Sequence, residues 1–171
     1  MKDHLLVAFL VISILGTCGC ASHYKAKVTD PSQGAILTGS TVNDGSLSFE
    51  FCRPESIDGQ LVETSLHWQE SSLAKDESLV DPGEHLVEIV VTVKDGVLSP
   101  IRDASAVVKT TLLTGHRYTT VGAAGEFPTM RRIWVQDVAT GQPASTEGAA
   151  MLKDRAVSPM WVAPDFQPVR K

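Results

Sequence analysis

The 171-residue chain is 43% apolar and 20% charged, the balance of one folded domain with short additional segments at its ends. Its net charge of −5, with no block of five like charges, excludes a nucleic-acid binder built on clustered Lys and Arg and also a polybasic membrane patch. Lys2 and Asp3 cancel, so removal of residues 1–19 leaves that charge unchanged. The remainder, roughly 150 residues, is long enough to bury about two thirds of its unfolded surface in one core.

Residues 5–15 form an apolar run interrupted only by Ser13. A permanent membrane helix needs about 20 such residues, whereas the apolar core of a signal peptide is of this shorter kind. Lys2 alone supplies positive charge ahead of the run, beside Asp3. Next comes Gly16-Thr17-Cys18-Gly19-Cys20-Ala21-Ser22, which resembles a bacterial lipobox. In that motif small side chains fit a membrane peptidase cleft, and the chain is cut just before a Cys whose thiol carries diacylglycerol. Two registers compete. Acylation of Cys20 places the small Gly19 before the cut but puts Thr17 where the motif usually has Leu. Acylation of Cys18 places Leu15 in that favoured position but sets Thr17 beside the cut. Cys20 is the preferred site and Cys18 the alternative; an ordinary secretory leader with incidental cysteines is the competing reading. The choice governs Cys52, which is a lone core thiol if Cys20 carries the lipid and a disulfide candidate with Cys20 if Cys18 does. Because the residue after Cys20 is Ala21 and not Asp, the resemblance implies transport to an outer membrane, with the domain facing the periplasm.

Residues 20–33 read as a tether, with a turn at Asp30-Pro31-Ser32. After Asn43-Asp44-Gly45, Leu47, Phe49 and Phe51 alternate with polar residues and predict a half-buried strand. Asp58-Gly59 between apolar pairs predicts a two-residue hairpin turn. The pattern from Thr64 to Val80 is weak, open to a short helix or an irregular excursion. Asp81-Pro82-Gly83-Glu84 then launches the clearest strand, with Val87, Ile89, Val91 and Val93 on its core face. Lys94-Asp95-Gly96 turns the chain, and Val97-Leu98 are expected to begin the return. A further strand places Ala106, Val108 and Leu112 inward and Lys109 outward. Thr114-Gly115-His116 breaks it before residues 117–121, and Gly122-Ala123-Ala124-Gly125 reads as a loop. Residues 132–138 form the last clear strand, closed by Thr140-Gly141. Pro143, Pro159, Pro164 and Pro168 bar any long element in a C-terminal tail, residues 142–171.

Little in this pattern carries chemistry. The five histidines lack metal-ligand spacing, and His85 and Glu88 fall on opposite faces of a strand. No Gly-x-Ser-x-Gly elbow occurs, and the Gly122 to Gly125 loop lacks the Lys and helix of a phosphate loop. Neither a catalytic residue, a metal site nor a cofactor is therefore expected, and the chain is read as a non-enzyme. Trp134 reads as sheet-face packing. Trp68, in an irregular segment, and Trp161, in the tail, are the candidate contacts for a ligand or partner.

Taken together, Ile57-Asp58-Gly59-Gln60, Pro82-Gly83-Glu84-His85, Gly115-His116-Arg117-Tyr118 and Trp134-Val135-Gln136-Asp137 with Thr140-Gly141 resemble small transthyretin-like β-sandwich envelope lipoproteins over residues 57–141. The resemblance implies a fold and an envelope structural role, with no catalytic residues to carry over. The expectation is an all-β, antiparallel sandwich, Ig-like or transthyretin-like, of about seven strands over residues 34–141. Its expected role is non-enzymatic: a lipid-anchored module binding an envelope protein partner and no nucleic acid. The alternative is a small-ligand or glycan-binding accessory lipoprotein.

Overall fold

The computed structural model describes residues 22–44, 48–63 and 76–155. Eleven strands occur among them: β1 (Ala35–Thr38), β2 (Ser40–Asp44), β3 (Ser48–Ile57), β4 (Gln60–Leu61), β5 (Glu77–Val80), β6 (Gly83–Asp95), β7 (Arg102–Leu112), β8 (Arg117–Ala124), β9 (Met130–Asp137), β10 (Gly148–Met151) and β11 (Lys153–Asp154). One sheet has the order β11-β7-β6-β3-β2, with β4 also on β3; the other has the order β10-β9-β8-β1-β5. All pairings are antiparallel except β1 on β8. This is the expected all-β sandwich.

β6 is its spine because β-branched side chains pack well on a pleated surface. Val87, Ile89, Val91 and Val93 are fully buried, as predicted, and each contributes about 1.5–3 kcal/mol by leaving water. β3 and β7 flank it in long antiparallel ladders. From the opposite sheet, Leu37, Tyr118, Ile133 and Val135 complete the core. β1 and β2 are nearly continuous, and across Gly39 the chain leaves one sheet and enters the other. At Asp58-Gly59 the predicted two-residue turn is present, both residues having positive φ (51° and 77°). Tyr118 closes the β7–β8 corner, its buried hydroxyl accepting the Leu113 N–H at 2.9 Å.

Strand directions give the sandwich two distinct ends. The base carries the turns at Asp58-Gly59, Asp81-Pro82 and Gly115-His116, together with residues 22–33. The far end carries the β6–β7 and β8–β9 loops and the exit of the chain after β11.

Several local expectations need correction. Register places Phe51 opposite Thr92 and Cys52 opposite Val91, so Cys52 faces the opposite sheet; Phe49 and Phe51 stack 5.7 Å apart on the other face, where Phe51 is nonetheless buried and Phe49 half-buried, as a half-buried strand implies. The position that alternation assigns inward beside Phe51 is taken by Glu50, which reaches across the sandwich to Arg131 (Nε to Oε1, 2.9 Å). Leu47 lies outside the described residues. Val97 and Leu98 do not begin β7; they are 63% and 97% exposed in the loop before it. Gly122, Ala123 and Ala124 are not a loop but the end of β8, where Gly122 is needed because a Cβ there would sit 2.7 Å from Val91 Cγ2.

The count of about seven strands rises to eleven because short strands join at the edges. Three of them lie in segments not read as strands: β5 at the end of the weak Thr64 to Val80 stretch, and β10 and β11 in the expected tail; β4 is the short return arm of the predicted Asp58-Gly59 hairpin. Pro143 does bar a long element, yet the chain after it crosses repeatedly between β9 and β7. Ala144 N–H bonds the Val135 carbonyl, Thr146 N–H bonds the Lys109 carbonyl, and β10 and β11 then pair with β9 and β7 in turn. This stitching closes one open side of the sandwich.

Candidate functional site

Two features combine polar groups in ways the core does not require. The first is a clasp at the base. Its centre is Asp81, held in place by the turn that precedes β6. The Asp81 carboxylate accepts the backbone N–H groups of Lys27 (2.9 Å) and Val28 (3.0 Å) and the Tyr24 hydroxyl (3.3 Å). Just upstream, Tyr24 N–H bonds the Leu61 carbonyl at 2.7 Å, and Leu61 N–H bonds the Ser22 carbonyl at 3.0 Å. His23 thus forms a parallel bridge beside Leu61. The segment expected to be a tether is hydrogen-bonded to the sandwich from Ser22 onward, because these exposed N–H groups find ready acceptors at the base.

His85 braces the clasp. Its Nδ1 lies 2.7 Å from Asp58 Oδ2 and its Nε2 lies 2.8 Å from the Asp81 carbonyl oxygen, while Tyr24 packs edge-on against the ring. Partial burial acts to raise the carboxyls of Asp58 and Asp81, but the bonds they accept outweigh it and hold both below the usual carboxylate range. For Asp58 these come from Leu86 N–H and His85; for Asp81 they come from Val28, Lys27 and Tyr24.

The second feature is a groove of about 760 Å³ on the outer face of the β6 sheet, running to the corner made by β10 and β11. Val90 and Phe51 line it, with Arg53 and Glu55 from β3 on one side and Asp103, Ser105 and Arg155 on the other. The Arg155 guanidinium grips Asp103 in bidentate fashion (Nε to Oδ2, 2.7 Å; Nη2 to Oδ1, 2.9 Å), and the Thr92 hydroxyl donates to the same carboxylate at 2.7 Å. Burial works to raise the Asp103 carboxyl, yet the bonds from Arg155 and Thr92 hold it low. Arg53 Nη1 forms an ion pair with Glu55 Oε2 at 2.8 Å. Arg53 Nε is buried without a hydrogen-bond partner among the described residues. The ladder to β6 shifts register between Pro54 and Ser56, at a β-bulge.

Cys18, Cys20, Trp68 and Trp161 all lie outside the described residues. Trp134 stands on the outer face of β9, half-buried, with the Arg132 guanidinium carbon 5.9 Å from its ring centre. Cys52 is a buried free thiol, and burial pushes it up to about 12. His116 pairs with Asp137 at 2.7 Å, and the other carboxylate oxygen of Asp137 accepts N–H groups from Ala139 and Thr140. These bonds, His116 first, hold the Asp137 carboxyl low and build the turn after β9. Among the described residues no group of three His, Cys, Asp or Glu lies close enough to hold a metal ion. Sequence reasoning placed Asp81 in a turn but missed its role as an acceptor, and passed over Arg53 and Arg155, since single charged residues carry no motif. The chain matches no protein-family model, no curated protein and no solved structure.

Proposed function

We propose that the protein is a lipid-anchored envelope module, acylated at Cys20 and held at an outer membrane, whose sandwich has a non-enzymatic structural or protein-interaction role. The observation that supports this reading is the clasp. Directly after the lipobox-like segment, the chain is fastened by Leu61 and Asp81 to one end of a rigid sandwich. An acyl chain two residues upstream would then hold the whole domain and not a loose tail. The carboxylates of Asp58, Asp81, Asp103 and Asp137 are all held low by bonds made within the fold, the state of structural groups and not of a poised proton donor. Mass spectrometry of the mature protein from cell membranes tests the reading. A diacylglyceryl Cys20 at the N-terminus is expected; an intact leader, or a mature terminus without lipid, sinks it.

The groove favours a second reading, a binding module for a small polar ligand such as a glycan. A buried Arg53 Nε without a hydrogen-bond partner, beside an ion pair and an apolar floor, is the kind of polar group by which such pockets orient a hydroxyl-rich ligand. Retention of the purified protein on isolated cell-wall glycan, abolished in Arg53→Ala, would favour it. Specific protein crosslinks in intact cells, with no glycan retention, would favour the first.

A further inference from the structure

The N-terminal segment has a direction. Because His23 bridges Leu61 in parallel, residues 22–24 run alongside β4, and β4 runs from the Asp58-Gly59 turn toward the far end. Followed backwards, the chain therefore heads past that turn and out of the base. Ser22 is already bonded to Leu61, level with the last residues before the turn. Only Cys20 and Ala21 precede it in a chain cut at the lipobox. Two residues span at most about 7 Å when extended.

We infer that the base of the sandwich, around the Asp58-Gly59 turn, is a membrane-contact surface resting on phospholipid headgroups, with the far end pointing away from the bilayer. This rests on acylation at Cys20. An acylated thiol must lie at the level of the headgroups, and a two-residue connection leaves no room for the domain to stand off. Acylation at Cys18 would add two residues and about 7 Å, and the base would still be the nearest part. On the same segment Tyr24, Ala26 and Val28 turn toward the sandwich, while Lys25 and Lys27 are exposed beside the anchor. Their attraction to an anionic surface is offset by Asp58 and Glu84, exposed at the same end, so the placement rests on the reach of the anchor and not on charge. The opposite end lies about 40 Å away along the 13-residue β6. Out there the chain leaves β11, and the exposed Leu98 and Phe127 stand on the loops. The membrane thus takes the base, and the groove rim and these apolar loop tips are left to a partner.

Photo-crosslinking tests this on the acylated mature protein in phosphatidylethanolamine–phosphatidylglycerol vesicles. p-Benzoylphenylalanine is placed either at Gln60, beside the turn, or at Leu98. Phospholipid adducts are expected at position 60, with none above the unbound background at position 98. Adducts at 98 equal to those at 60, or none at 60 in vesicle-bound protein, overturn the inference. A parallel preparation couples the Cys20 thiol of the mature chain to a maleimide phospholipid, since buried Cys52 is shielded from the reagent. That preparation reads the geometry even if the native N-terminus carries no lipid, so failure of the anchor and failure of the orientation are told apart.

Discussion

Asp81 gathers two backbone N–H groups and one hydroxyl from a segment more than fifty residues upstream, and nothing else at the base accepts from that stretch as densely. Asp81→Ala is expected to free residues 24–28 while the strands stay folded, at a cost of about 1–2 kcal/mol since water can replace part of the loss. Hydrogen exchange at the Lys27 and Val28 amides reads it; unchanged protection there would rule the clasp out. The sign of the pH effect follows from depressed carboxyls. Asp58, Asp81 and Asp103 are held below their unfolded range of about 4, so their contribution is full above it and lost as pH falls through the lowered values. Protection at Lys27 and Val28 should therefore persist at neutral pH and fade below about pH 4, and a release on raising the pH instead would contradict the assignment. Cys52, with its thiol raised to about 12, should react with thiol reagents only after denaturation.

At the level of strands, two close approaches hold the sheets in register. Gly122 lies against Val91, so Gly122→Ala is expected to cost about 1–3 kcal/mol in a denaturant titration. The same change in a Val91→Ala background should cost much less, because the clash is then relieved. Arg131 and Glu50 join the two sheets across the interior at the far end. Arg131→Ala strands a partly buried carboxylate, for an expected loss of about 3 kcal/mol; a loss near zero would mean the pair only decorates the edge. β6 was legible in the sequence because four β-branched residues on one face admit one reading. β3 was legible as a half-buried strand, and Phe51 is buried as that pattern implies, but alternation alone did not show which face meets the opposite sheet. Glu50, the residue that decides the matter, finds its partner Arg131 on another strand far along the chain. β10 and β11 were hidden for a different reason: strands of four and two residues between turns leave no period to detect. The groove escaped because its charges come from β3, β7 and the segment after β11, near one another only once the sheets have formed. The turns at Asp58-Gly59 and Asp81-Pro82 were legible, since their backbone demands are written locally, although the role of Asp81 as acceptor was not.

The molecule as a whole depends on the segment after Gly141 that was expected to be a tail. Through Ala144, Thr146, β10 and β11 it closes the side of the sandwich between β7 and β9. A chain ending at Gly141 should lose cooperative unfolding or melt far lower, whereas one ending at Arg155 keeps every strand described above. Equal melting temperatures for the two would refute this closure.

The parallel pairing of β1 with β8 also sets an order of events. β1 finds its antiparallel neighbour only when Val80 has arrived, and its parallel neighbour only with Tyr118. A chain delivered from its N-terminus, whether from a ribosome or across a membrane, therefore carries an edge it cannot satisfy until most of its length has followed. Such long-range closure makes folding slow, on the order of milliseconds to seconds. The clasp obeys a shorter version of the same order, since the Lys27 and Val28 amides find their acceptor only once Asp81 has followed, well before Tyr118.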